Sequence, residues 1–494
     1  MERGQSAGEL LRPVIVGGGI AGLVVAWELA RAGRRPLLLE SAGVVGGSIA
    51  RHTVAGLALD AGAESFATAT SAVADLIRDL GLQGAMVQPN PVGAWVRHAG
   101  GTARLPTAAL LGIPAHPFAA DVRQVLGPVA AARAGLDFVL PAGFGARSTA
   151  SLGALVGRRM GRTVVDRLVE PVVGGVYSTD PDALDVDTVQ PRLRAAIRET
   201  GSLSGAVQLL RGGARPGSAV AGLSGGLFLL VDGLRVAIEG MGGEIRTEVS
   251  VSAIRNLRTG WQVTTSDGTV LAGDVILAVP GPAALPLLGG GGVASPIGAA
   301  ATSDVLLVTL VVDHSTLDSH PRGTGVLVSS HATGTTAKAL THATAKWAWL
   351  AQKAGPGRHV LRLSYGRGEA LLPPLEELVP LALADSSTLT GVTLRPEHLV
   401  DSAVVSWTSA LPRPEPGHRA AMNHLRIDLA ALPGLHVTGS MVAGTGLASV
   451  VADARSVAAE VTSALKRQAQ EPQGRLQHIP GSRTPPQAGG GWRT

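Results

Sequence analysis

Short apolar runs, glycine turns and helical periodicity alternate from the start of the chain. From Pro13 it reads VIVGGGIAGLVVAWELARAGRRPLLLE, an apolar run, a glycine turn, a helical stretch and a second apolar run closing on Glu40, which predicts a βαβ unit. Residues 41–84 add a glycine-rich loop, a strand-like segment and a helical pattern from Ala72 to Leu80 stopped by Gly81. Residues 85–217 are irregular, with helix-like pieces around Phe118–Ala134 and Ser151–Val169, and read as an insertion. At Gly225-Gly226 the alternation resumes. A helix is expected over Leu227–Gly240, then strand-like EIRTEVSVSAIRN, then WQVTTSDGTVLAGDVILAVP, a hairpin leading into a buried strand. DVLLVTLVVD (304–313) and HVLRLSY (359–365) supply strands for a second sheet, and 370–386 a helix. LHVTGSMVAGTGLASVVADARSVAAEVTSAL reads as strand, glycine turn and helix, and the Gln-, Pro- and Gly-rich stretch 467–494 as a disordered tail.

Composition narrows the function. A length of 494 residues calls for two domains or one strongly elaborated domain. With 45% hydrophobic and 16% charged residues a membrane span has to be considered. The longest uncharged stretch, Val275 to Ser303, is interrupted by Pro280, Pro282, Pro286, Pro296 and the run Gly289 to Gly292, so no spanning helix is expected, although peripheral membrane contact stays open. The absence of cysteine excludes disulfides, thiolate metal sites and a cysteine nucleophile. The first twelve residues, MERGQSAGELLR, lack the apolar core of a secretory signal, and a cytoplasmic location is expected. Only Lys338, Lys346, Lys353 and Lys466 among the 42 basic residues are lysines, and the pI is about 10.1. The arginines are dispersed and aromatics amount to 3%, which argues against nucleic acid and for an anionic small molecule. No H-E-x-x-H spacing occurs among the histidines, and no metal site is expected.

Gly17, Gly19 and Gly22 form G-x-G-x-x-G between the first strand and helix, with Glu40 ending the second strand. The first glycine permits the tight turn, the second lets backbone approach a pyrophosphate, the third lets helix pack on strand, and Glu40 would accept from ribose hydroxyls. Gly46-Gly47 and Asp60-Ala61-Gly62 follow at short range. With these blocks the chain resembles the flavin amine-oxidase superfamily, and within it the porphyrinogen oxidases of heme biosynthesis. DAGAESFATATSAVADLIRDLGL is similar to their D-x-G-x-E-S-F block, and RLVEPVVGGVYSTDPDALDVDTVQPRL to their E-P-x-x-x-G-V-Y-x-x-D-P-x-x-L segment. VSWTSALPRPEPGH and VTGSMVAGTGLASVVADAR resemble their C-terminal blocks. Ser48, Ser406, Ala448 and Ala454 depart from the pattern, standing where a basic residue, arginine, proline and glycine are usual.

The resemblance implies an α/β, amine-oxidase-like fold: a discontinuous Rossmann-type FAD-binding domain (12–84, 218–290 and 400–466) with an inserted α+β substrate-binding part (85–217 and 291–399), and an apolar cavity between them. It assigns FAD contacts to Gly17, Gly18, Gly19, Ile20, Ala21, Gly22, Glu40, Ser41, Gly47, Ser48, Gly62, Ala63, Glu64, Ser65, Val251, Trp407, Gly446, Leu447 and Ala448. The implied reaction is oxidation of coproporphyrinogen III by flavin, reoxidised by O₂ to give peroxide, with the product passed to a ferrochelatase. The cofactor carries this chemistry, so no catalytic set is expected beyond a candidate at Tyr365. Arginine suits the substrate's propionates, making Arg97 and Arg104 candidate anchors, with Tyr177 a candidate contact. Three other readings stay open: a protoporphyrinogen IX oxidase, an amine oxidase of the same fold and a flavin-binding protein without turnover. Amine oxidases usually place a lysine near the flavin on a strand matching DVLLVTLVVD, which has none.

Overall fold

The structure is a computed structural model that describes residues 11–145, 151–212, 220–293, 302–367 and 372–470, with side chains as far as Ser463 in the last helix. Of the tail expected over 467–494, residues 471–494 lie outside the described residues, and the first four positions continue the helix Leu447–Gln470.

A five-stranded parallel sheet forms the first layer, in the order Glu244–Arg246, Leu37–Leu39, Val14–Val16, Val275–Leu277, Leu435–Val437. Its three central strands are wholly buried, as continuous apolar runs covered on both faces must be. One face carries the helices Ile20–Arg31, Leu229–Gly240 and Leu447–Gln470, packed through Leu23, Leu29, Leu234, Val451 and Val461. The other face packs on Ile254, Trp261 and Val263 of a three-stranded meander. EIRTEVSVSAIRN is two strands rather than one. Glu248 takes a left-handed turn (φ 60°), and Val251–Leu257 leaves the parallel sheet for the meander.

The second layer is a seven-stranded sheet in the order 399–412, 302–313, 358–365, 339–342, 325–328, 95–98, 101–104. Strand Leu399–Pro412 pairs along its length with Thr302–Asp313, so the boundary drawn at residue 400 sets into the cofactor part a strand that belongs to this sheet. Helix Leu378–Thr390 covers one face through Leu378, Ala382 and Leu389. Hairpin Arg51–Asp60 packs on the other through Val54, Leu57 and Leu59, against Val311 and Val360.

The insertion is a helical cluster of its own, with Leu155, Val164, Leu193, Leu203 and Val207 fully buried. At its centre Arg159 and Asp137 form an ion pair at 2.6 Å with neither side chain exposed. Among the described residues no helix is long and apolar enough to cross a membrane.

Candidate active site

The glycine turn shows which faces are closed and which open. A Cβ on Gly22 would lie 2.0 Å from the Gly17 carbonyl, and one on Gly17, whose φ is 105°, 2.7 Å from the Ala278 carbonyl. A Cβ on Gly19 would meet nothing within 4 Å. Helix Ile20–Arg31 begins at that open point with no side-chain cap, leaving its first-turn N–H groups and positive dipole end to whatever enters. Glu40 closes the turn from below: its Oε2 accepts from Gly18 N at 2.6 Å, and its Oε1 from Ala42 N at 2.8 Å and Ser41 Oγ at 3.3 Å. Gly46 N donates to Gly18 O, bringing Gly47 against Gly19. Val249 N donates to Glu40 O at 2.9 Å, which lays the segment leading into Val251 beside the same residue. Gly439, ahead of the turn that starts helix Leu447–Gln470, lies against Ala21, and Ala448 packs in the same core. A pyrophosphate fits this arrangement, because the open side of Gly19 is lined by backbone donors and no side chain fills it.

The segment Ala61–Ser65 is held from the second sheet. Ala63 N donates to Ser48 O at 2.9 Å, and a Cβ on Gly62 would strike that carbonyl, so glycine is required there. Trp407 Nε1 donates to Ala61 O at 3.1 Å. Arg362 gives Nη2 to Gly62 O at 2.6 Å and Nη1 to Glu64 at 2.9 Å, while Lys346 Nζ reaches Glu64 at 2.7 Å and Ser65 Oγ at 3.3 Å. Burial pushes the Glu64 carboxyl up, but the two cations outweigh it and hold it down at about 2. The Glu64 carboxylate is thus committed to Lys346 and Arg362, which leaves its backbone for a cofactor. Sequence reasoning missed both cations. The available signal was a lone arginine inside the apolar run HVLRLSY and one of only four lysines. Lys346 lies just beyond strand Ala339–His342, away from DVLLVTLVVD, and is paired to Glu64.

The remaining candidates are scattered. Tyr365 is 1% exposed, its hydroxyl donating to Asp385 of helix Leu378–Thr390 at 3.2 Å, on the sheet face that helix covers. The structure gives it a core role under that helix, and alternation along the strand explains why, since Leu361, Leu363 and Tyr365 share one face and Arg362 lies on the other. Arg97 donates to Thr333 O at 2.8 Å, and Arg104 is exposed over the Trp95 ring at 5.6 Å. Their strands lie five and six positions across the sheet from that of Trp407, a separation of about 24 Å or more at ordinary strand spacing. Tyr177 ends helix Glu170–Tyr177 and packs on the helical cluster, burial pushing its hydroxyl's pKa up.

Comparison with known proteins follows the same lines. The sequence family described as "Flavin containing amine oxidoreductase" matches residues 20–462. The chain is 30% identical over 467 residues to the coproporphyrinogen III oxidase of Mycobacterium tuberculosis, covering 92% of this chain and 98% of that protein. It is 26% identical to the coproporphyrinogen III oxidase of Bacillus subtilis, with the same coverage. A crystal structure from Exiguobacterium sp. 255-15, of a protein assigned as a protoporphyrinogen oxidase, superposes with a TM-score of 0.80 at 27% identity, over 93% of this chain and 100% of that one. Cyclohexylamine oxidase from Brevibacterium oxydans, at 17% identity and a TM-score of 0.65 over 93% of this chain and 100% of that one, shares the fold.

Proposed function

The chain belongs to the flavin containing amine oxidoreductase family, and from that premise we propose that it is an FAD-dependent oxidase that converts coproporphyrinogen III to coproporphyrin III in heme biosynthesis. The observation that carries this reading is the end-to-end similarity to coproporphyrinogen III oxidases, which spans 98% of the Mycobacterium tuberculosis protein. It is supported by the E-P-x-x-x-G-V-Y block, which forms a helix fastened to the second sheet.

Bound flavin would supply the hydride-accepting chemistry and hand its electrons to O₂, the six-electron oxidation consuming three O₂ and releasing three H₂O₂. The protein's part is binding and orientation. The N–H groups of Gly19, Ile20, Ala21 and Gly22 would take the pyrophosphate and Glu40 the ribose. Gly47 and Ser48 would follow the same cofactor, and so would Gly446, Leu447 and Ala448 at the C-terminal helix. Lys346 and Arg362 hold Gly62–Ser65, and Trp407 holds Ala61, so the segment assigned to the cofactor would be anchored before the cofactor arrives. Arg97 and Arg104 remain the proposed propionate anchors, with Tyr177 beside the macrocycle. The enzyme would work in the cytoplasm and pass its product to a ferrochelatase.

The test is porphyrin fluorescence over time when FAD-loaded protein meets coproporphyrinogen III or protoporphyrinogen IX in air, against enzyme-free controls. Preference for the tetra-acid is expected. Preference for the di-acid would change the substrate and keep the chemistry, and no enzyme-dependent signal from either would sink the reading.

A further inference from the structure

Helix Glu170–Tyr177 is fastened to the seven-stranded sheet at both ends. At its start, Glu170 accepts from Arg367 Nη1 at 2.8 Å and from Ser330 N at 3.0 Å. At its finish, Ser178 turns the chain through the left-handed region (φ 52°, ψ 33°), which a residue with a side chain adopts only when its surroundings impose it. Two groups hold it: Lys338 Nζ donates to Ser178 Oγ, and Ser303 Oγ donates to Ser178 O at 3.2 Å. Helix and turn carry Val176, about half exposed, and Tyr177.

Lys338 is an unusual residue for this post. Its backbone is fixed between two strands, its N–H donating to Ser364 O at 2.8 Å and its carbonyl accepting from Val328 N at 3.0 Å. Its side chain is 1% exposed. An ammonium has three donors, yet the described partner is one hydroxyl. The positive charge of Arg367, which is paired to Glu170, acts on Lys338 as well. The groups shown to act on the amine are thus Ser178 on the helix turn, itself held by Ser303 of strand Thr302–Asp313, and the Arg367 guanidinium, which is paired to Glu170. Burial and the Arg367 charge push Lys338 down to about 7.

We propose that Lys338 is a positioning residue for the substrate: through Ser178 it fixes the C-terminal turn of helix Glu170–Tyr177, and with it Val176 and Tyr177, and taking up a proton loosens that turn. The substrate half of this rests on the porphyrinogen reading above; the proton half does not. As a neutral amine Lys338 can exchange a hydrogen bond with Ser178 in either direction and bury no charge. As an ammonium it has further N–H groups that only water could satisfy, so protonation favours a hydrated, opened turn.

The four lysines make the proton half directly readable. In FAD-loaded protein labelled with ¹³C-lysine, one side-chain signal should titrate at about pH 7 instead of in the ordinary lysine range, and Lys338→Met should delete that signal. Four signals titrating at the ordinary value would overturn the proposal. Hydrogen exchange across residues 170–180, corrected for intrinsic rates, should quicken as pH falls from about 8 to about 6 in the native protein and stay level in Lys338→Met. An unchanged corrected rate in the native protein would equally overturn it. With whichever porphyrinogen is turned over, KM should rise about fivefold over the same pH range at nearly constant kcat, and both Lys338→Met and Ser178→Ala should flatten that rise. A matching rise in both variants would remove Lys338 from substrate positioning. Absence of turnover with any porphyrinogen would count against the function reading, while the titration and exchange results would still decide for or against the turn.

Discussion

Glu64 shows how much one residue can carry here. It sits largely buried between Lys346 and Arg362, and all three are needed to seat the segment Ala61–Ser65. Glu64→Gln would strand two partly buried cations, and we expect it to cost about 3–5 kcal/mol in urea unfolding and to lower flavin content per chain; a variant as stable and as yellow as the parent would contradict the clamp. Titration sets a second expectation. Burial, then His359 and His320, push His342 down to about 3, so the folded protein keeps it neutral where the unfolded chain protonates below about 6.5. Its contribution is therefore complete above that value and lost as pH falls, by about 2 kcal/mol at pH 5. Asp60 has the opposite sign: burial raises it to about 6, so the fold gains from it as pH drops. Melting temperature measured from about pH 7 to about pH 4 should fall less in His342→Gln and more in Asp60→Asn than in the parent. At this scale the sequence was legible where chemistry is local. Gly22 and Gly62 are demanded by the carbonyls of Gly17 and Ser48, close by in the chain, and Gly17 by its own φ of 105°, although the carbonyl its Cβ would strike is that of distant Ala278. Lys346 and Arg362 were not, because they lie 282 and 298 residues from Glu64 and meet it only through strand pairing.

Among the elements, the inserted helices rest on a buried charge pair. Asp137 accepts from Arg159 and also from Leu203 N and Ser204 N at the start of helix Leu203–Arg211, while Arg159 reaches four backbone carbonyls. Both charges are thereby hydrogen-bonded on several sides, and removal of one partner leaves the other charged and dry. Asp137→Ala should destabilise the insertion by about 3–5 kcal/mol, seen as an early, separate unfolding step by limited proteolysis within 120–211. Cleavage at the parent's rate would show that the pair is dispensable. Periodicity found Ala72–Asp79 and Leu229–Gly240 to within a turn, but passed over Leu193–Thr200, Leu203–Arg211, Gly281–Gly290 and His418–Ala430. It failed where a tertiary partner decided. Leu378–Thr390 begins later than the pattern placed it, and Leu399–Pro412 pairs with a strand that lies nearly a hundred residues earlier, which no local signal announces.

The whole molecule joins segments that are distant in sequence. The parallel sheet takes strands near residues 15, 38, 245, 276 and 436, and the glycine turn, Glu40 and the C-terminal helix meet only when all are paired. Return of a strand–helix pattern after the insertion made the discontinuity legible from sequence; the order of strands was not, since three-residue apolar runs carry no mark of their neighbours. That order has a consequence for biosynthesis. Val275–Leu277 stands at the growing edge of the sheet, fully apolar, until Leu435–Val437 pairs with it. On the ribosome, at roughly 5–20 residues per second, that edge waits about 8–30 s for its partner, and through the interval it offers open backbone donors and acceptors to any other strand in the cell. Cofactor capture would then be among the last events of synthesis, after the C-terminal strand has closed the sheet and its helix has come to lie beside the glycine turn.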